Sequence, residues 1–195
     1  MVVAHLGKTG SRVNAPPRES IAYHEAGHAV VGHAQGLRFS RIYLGAVGGQ
    51  VIFDDQWTEG AVVADPDLLD RYALMLLAGA AAEWRHAGTV PGAIGDVAAL
   101  CWLLAGARRR GTVPRPDRWR RAEAEVARHW RAIEAVAEEL EHRSRPVRGA
   151  ATALAQYPHL GSVVSEVTGA RVRRMLAPGA RARGDPAGWS VIPKP

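Results

Sequence analysis

Apolar residues recur along this chain at two spacings, and the switches between them mark out its elements. Residues 21–34 ("IAYHEAGHAVVGHA") place small and apolar side chains on every turn; Ser20 can cap a helix running to about Ala34, and Gly36 stops it. "RFSRIYL" and "GAVGGQVIFDD" follow, with β-branched and aromatic residues set among glycines, and predict two or three short strands. Helical spacing returns in "DPDLLDRYALMLLAGAAAEWRHAG", where Asp65 is a capping residue, Pro66 takes the first helical position and Gly88 ends the run. After the loop "TVPGAIG", a third helix starts near Asp96 and ends before Gly111.

The most regular pattern comes next. Trp119, Ala122, Val126, Trp130, Ile133, Ala137 and Leu140 recur at steps of three and four, which predicts one helix with a single apolar stripe, its tryptophans in the core. "RPVRGAATALAQ" and "SVVSEVTGARVRRMLA" suggest two further short helices. Residues 1–17 read as a flexible N-terminus closing on Pro16 and Pro17, residues 18–177 as one domain, and 178–195 as a disordered tail rich in proline and glycine. The fold class expected is mainly α (α+β), with a small β-sheet inserted after the first helix.

Composition changes this picture little. With 47% hydrophobic residues in 195, the chain can bury one real core. The apolar run Tyr72–Trp84 is shorter than the roughly 20 residues of a membrane span, and reads as a core helix. No signal-peptide pattern opens the chain, so a cytoplasmic protein is expected. Cys101 is the sole cysteine: it permits no intrachain disulfide, and its apolar setting reads as buried packing. The net charge of +6 comes almost wholly from arginine, Lys8 and Lys194 being the only lysines. Its densest cluster, "RRRGTVPRPDRWRR", joins two helices and reads as a solvated loop and helix start rather than a nucleic-acid surface.

Chemistry enters in the first helix. His24, Glu25 and His28 form H-E-x-x-H. Residues four apart on an α-helix differ by about 40° in direction, so two imidazoles can meet one ion. Glu25 projects about 60° from His28, beside the ion without being bound to it, where a general base can take a proton from water. His33 lies about 180° round from His24 and cannot share that ion. Catalytic zinc usually takes a third protein ligand. Asp70, Glu83, His86 and Asp96 are the downstream candidates, and spacing alone leaves Glu83 and Asp96 tied.

"IAYHEAGHAVVGH", "LLAGAAAEW" and "TVPGAIGDVAAL" resemble, in that order, three segments of the bacterial FtsH-type zinc metalloprotease domain, over residues 18 to 108. The resemblance implies a helical, zincin-like metalloprotease fold. It implies Zn2+ held by His24, His28 and Asp96, with Glu25 as general base and Glu83 in a supporting or structural role, orienting a ligand or capping a neighbour. It further implies that Gly48, Gly49, Gln50 and Val51 form an edge along which an extended substrate binds by backbone hydrogen bonds. Two positions depart from the family pattern: Ala80 stands where it has arginine, and Gly95 where it has asparagine. Both changes remove polar groups expected near the site.

The chain contains no G-x-x-x-x-G-K-[ST] phosphate loop, so no ATP bound by this chain is expected, nor a membrane span. The function expected is an ATP-independent zinc metallopeptidase that hydrolyses peptides or unstructured protein segments. The alternative is a metal-binding regulatory or protein-interaction module derived from such a peptidase, acting with a separate protein partner.

Overall fold

The computed structural model describes residues 17–54, 58–142, 155–161 and 163–177. All but Pro17 of the flexible N-terminus expected over 1–17, the tail over 178–195 and nearly all of the helix expected in "RPVRGAATALAQ" lie outside the described residues. Within them the protein is mainly helical with one three-stranded antiparallel sheet, as the sequence pattern predicts.

Helix α1 (Arg18–Ala34) is buried from Ser20 to Gly32 except at Tyr23, which is partly exposed, and this is the environment its small and apolar residues require. It begins after Pro17 with no side-chain cap, and Ser20, expected as the cap, lies inside the helix and is buried. Gly36 supplies the positive φ (78°) at which the chain turns away. Strands β1 (Phe39–Gly45) and β2 (Gly49–Phe53) form a hairpin, with Ile42 opposite Val51 and Leu44 opposite Gly49. A short helix that the sequence pattern did not predict, α2 (Glu59–Ala64), follows; the Thr58 hydroxyl caps it by accepting from the Ala61 N–H.

Helix α3 (Pro66–Ala87) keeps both predicted boundaries. The Asp65 carboxylate accepts from the Asp67 and Leu68 N–H groups, and Gly88 ends the helix at φ 69°. It crosses α1 closely at Gly27, where a Cβ would stand 2.5 Å from the Ala78 carbonyl oxygen. Helix α4 (Ile94–Arg109) follows a single 3-10 turn over Pro91–Ala93. Cys101 on α4 is exposed, contrary to the packing role expected of it.

Two expectations fail in the C-terminal part. The single helix expected over 119–140 is two, α5 (Arg118–Arg128) and α6 (Trp130–His142), with the chain turning at His129 (φ −105°, ψ 15°). Helix α5 packs on α3 and α6 packs on α1, so one straight axis cannot serve both. Ala122, Val126, Ile133, Ala137 and Leu140 of the stripe are buried, but Trp119 is 39% exposed and not in the core. The segment 163–176, expected as helix, is strand β3 (Val163–Thr168) followed by helix α7 (Gly169–Leu176), the change being made by the Thr168 cap. Strand β3 pairs antiparallel with β1, giving the order β2-β1-β3. The sheet is therefore not wholly an insertion after the first helix: its third strand comes from the far end of the domain, and β2 is left as an edge.

Candidate metal centre

Helix α1 turns His24 and His28 toward α3, and α3 makes room for them at Gly79. A Cβ at Gly79 would stand 2.5 Å from His28 Nε2 and 2.9 Å from His24 Nε2, so only glycine leaves space for the imidazole pair. Both Nδ1 atoms are held from behind. His28 Nδ1 lies 2.8 Å from the Met75 carbonyl oxygen, and His24 Nδ1 lies 3.1 Å from Glu83 Oε2. Donation from each Nδ1–H to these acceptors fixes the tautomer that presents a lone pair at Nε2.

The Nε2 atoms of His24 and His28 lie 3.0 Å apart, and Asp96 Oδ2, from the first turn of α4, lies 2.8 Å from the first and 3.2 Å from the second. Three acceptor atoms from two helices thus converge on one point, an arrangement that calls for a cation. Tetrahedral zinc with bonds of roughly 2.0–2.2 Å separates its ligand atoms by about 3.3 Å, so the group needs to open by only a few tenths of an ångström. The residues fit a divalent metal by donor set, tautomer and space. The imidazoles and Glu25 are buried, whereas the Asp96 side chain is 22% exposed, so the group opens to solvent on the α4 side.

The electrostatics follow from this convergence. Burial disfavours a charged His24, but its hydrogen bonds to Asp96 and Glu83 and the nearby carboxylate of Glu25 outweigh burial and raise its pKa to about 10. His28 is raised for the same kind of reason: burial opposes, and the Asp96 charge and hydrogen bond prevail over repulsion from His24. Burial works against the Asp96 carboxylate too, yet the two histidines hold it well below the usual carboxylate range. Glu25 is pushed up, first by burial and then by Asp96 and Glu83, against the pull of His28 and His24.

The sequence candidates separate by position. Asp96 meets both Nε2 atoms, whereas Glu83, fully buried, meets the opposite nitrogen of His24 and also accepts weakly from the Gly92 N–H at 3.3 Å. Asp70 belongs to another locus, where Arg121 grips its two carboxylate oxygens at 2.6 Å each. His86 stacks on Tyr23 with ring centroids 3.8 Å apart. His33 is partly buried, and burial together with Arg173 and His129 lowers its pKa. Gly49, at the start of the edge strand β2, lies directly over Glu25: a Cβ there would meet the carboxyl carbon at 2.6 Å. Gln50 and Val51 continue that strand, and Gly48 precedes it in the turn. Ala80 is buried in α3, while a Cβ at Gly95 would meet nothing within 4 Å, so the second family departure faces open space.

Sequence reasoning missed Gly79 and Gly92. The signal for Gly79 was present: it lies four residues before Glu83, on the same face of an apolar helix, where a side chain would occupy the space of the imidazole that Glu83 orients. Gly92 backs the same corner, since a Cβ there would stand 3.2 Å from His24 Nδ1.

No family model matches the chain. The chain is 33% identical over 106 residues to the ATP-dependent zinc metalloprotease FtsH 3 of Sphaerobacter thermophilus, an alignment taking in 49% of this chain. It spans 20% of that protein's length. The likeness is thus partial and distant, and its direction is toward zinc metalloproteases.

Proposed function

We propose that this chain is a zinc-dependent peptidase that cleaves peptides or unstructured protein segments. The observation that carries the reading is the convergence of His24 Nε2, His28 Nε2 and Asp96 Oδ2 on one point, with the buried carboxylate of Glu25 beside them. His24, His28 and Asp96 would hold the ion, which when bound supplies Lewis acidity toward a carbonyl oxygen and makes water more acidic. Glu83 and the Met75 carbonyl keep the two imidazoles in their ligating tautomer. Glu25 accepts the proton of the attacking water and delivers it to the leaving amine nitrogen. Among the described residues no strand pairs with the outer edge of β2, Gly49 to Val51, which offers backbone groups to an extended peptide, preceded in the turn by Gly48. Val47, Val90, Ile94 and Val97 stand exposed on segments that carry or flank these groups, which suits apolar side chains in the substrate.

ATP independence is part of this reading, because these 195 residues contain no phosphate loop. No described helix is long and apolar enough to cross a membrane. A cytoplasmic setting suits a chain with one cysteine, and a nucleic-acid role has no support beyond its arginine content. The alternative, a metal-bearing regulatory module with a protein partner, draws on one observation: Glu25 lies almost wholly beneath Gly49.

Glu25→Gln separates the two. The peptidase reading expects zinc content near the wild-type level and peptide or casein cleavage reduced by about 100-fold or more. Wild-type protein that binds zinc yet cleaves no peptide or unfolded protein supports the regulatory module. Unchanged cleavage in the variant removes Glu25 from the mechanism.

A further inference from the structure

The turn that lays Gly49 over Glu25 does not hold its own shape. Neither of its central residues, Ala46 and Val47, has a positive φ, so it is not one of the two-residue turns whose twist matches paired strands. One bond closes it from within, Gly45 N–H to the Gly48 carbonyl at 2.8 Å. Among the described residues, the remaining support comes from residues 159–161, more than a hundred positions away in sequence.

That support reaches all four residues of the turn. The Leu160 carbonyl accepts from the Ala46 N–H at 3.1 Å and the Val47 N–H at 3.4 Å. A Cβ at Gly45 would stand 2.8 Å from Leu160 Cβ, and one at Gly48 would stand 3.4 Å from the His159 carbonyl oxygen. Gly161, at φ 70°, is close enough that a Cβ would meet Val47 Cγ2 at 2.9 Å. Leu160 itself is fully buried in a cluster with Tyr43, Ile52 and Tyr157, so the support is anchored in the sheet and not in solvent. Immediately beyond, β3 pairs with β1, and their register shifts between Leu44 and Gly45, where the turn begins.

We propose that Leu160 and Gly161 are positioning residues of the candidate peptidase site. By fixing the β1–β2 turn they keep Gly49 against Glu25 and hold the β2 edge in register for an extended substrate. The inference rests on the peptidase reading for its consequence and on the contacts above for its mechanism.

Gly161→Ala tests it, because the new methyl group pushes on Val47 and the residue resists a positive φ. Zinc content should match the wild type. KM for a fluorogenic peptide should rise about tenfold while kcat changes less than about threefold, the pattern of a displaced binding edge. Hydrogen exchange at the Ala46 and Val47 amides should quicken by about tenfold or more, with the amides of α1 unchanged. Adding Val47→Ala removes the colliding atom and should recover much of the KM change. If Gly161→Ala fails to fold, Leu160→Val trims the packing under the turn without adding an atom, and the same KM and exchange changes are expected. Wild-type KM together with wild-type exchange in a folded variant overturns the proposal. If the wild type cleaves nothing, the peptidase reading fails separately. The exchange rates of the two turn amides then decide alone whether residues 160–161 hold the turn.

Discussion

At Gly79 a single hydrogen in place of a methyl group decides whether two imidazoles can share an ion. An alanine there would overlap the Nε2 atoms of both histidines. Gly79→Ala should therefore abolish stoichiometric zinc binding, read by metal analysis after dialysis, while the helical circular dichroism stays near wild type because α3 itself gains a better helix former. Glu83→Gln keeps the shape but weakens the acceptor behind His24 Nδ1, and zinc affinity should fall by about 10–100-fold in a competition titration with a chromogenic chelator. A drop of less than about twofold would reduce Glu83 to packing.

Among the elements, α1 and α3 carry most of the arrangement, and their closeness depends on small residues at the crossing. Gly27 lies against the Ala78 carbonyl and Ala82, so even alanine forces the helices apart. Gly27→Ala should cost about 1–3 kcal/mol in urea unfolding, as overpacking does, and weaken zinc binding because Gly79 moves with α3. Unaltered stability would mean that the crossing tolerates a wider spacing. The boundaries of α3 were legible in the chain, since Asp65, Pro66 and Gly88 act locally through backbone hydrogen bonds and φ, whereas the uncapped start of α1 was not. The break at His129 was not, because the apolar stripe runs through it and only the choice of two different partner helices bends the chain. Strand β3 was hidden for a similar reason. "SVVSEVTGARVRRMLA" carries β-branched residues that suit a strand, but its pairing partner, β1, lies some 120 residues earlier.

For the whole molecule, the donors of the metal centre come from α1 and from α4, 68 residues apart, so an ion bound there ties the N-terminal helix to a later one. Linkage then requires that zinc stabilise the fold, by about 4 kcal/mol at a free zinc concentration roughly a thousand times Kd. Chelation should lower Tm by several degrees, and restoring zinc should return it, with magnesium having no such effect. An identical melting curve with and without zinc would sink the assignment of His24, His28 and Asp96 as ligands.

Periodicity and local chemistry in the sequence determined the mainly helical fold, both ends of α3 and the H-E-x-x-H pair, since residues four apart on one helix must lie close together. They also set His33 aside, because its direction on the helix is fixed by the same geometry. They left Glu83 and Asp96 level as partners, for both lie at plausible distances along the chain and nothing local orders them. Only the tertiary structure assigns them different nitrogens, Asp96 facing both Nε2 atoms from α4 and Glu83 facing His24 Nδ1 from α3. It alone also shows what arrives at Gly49, Gly79 and Gly92, where the absence of a side chain makes room for another element. Such space belongs to the pair of packed elements, and no single segment of sequence contains it.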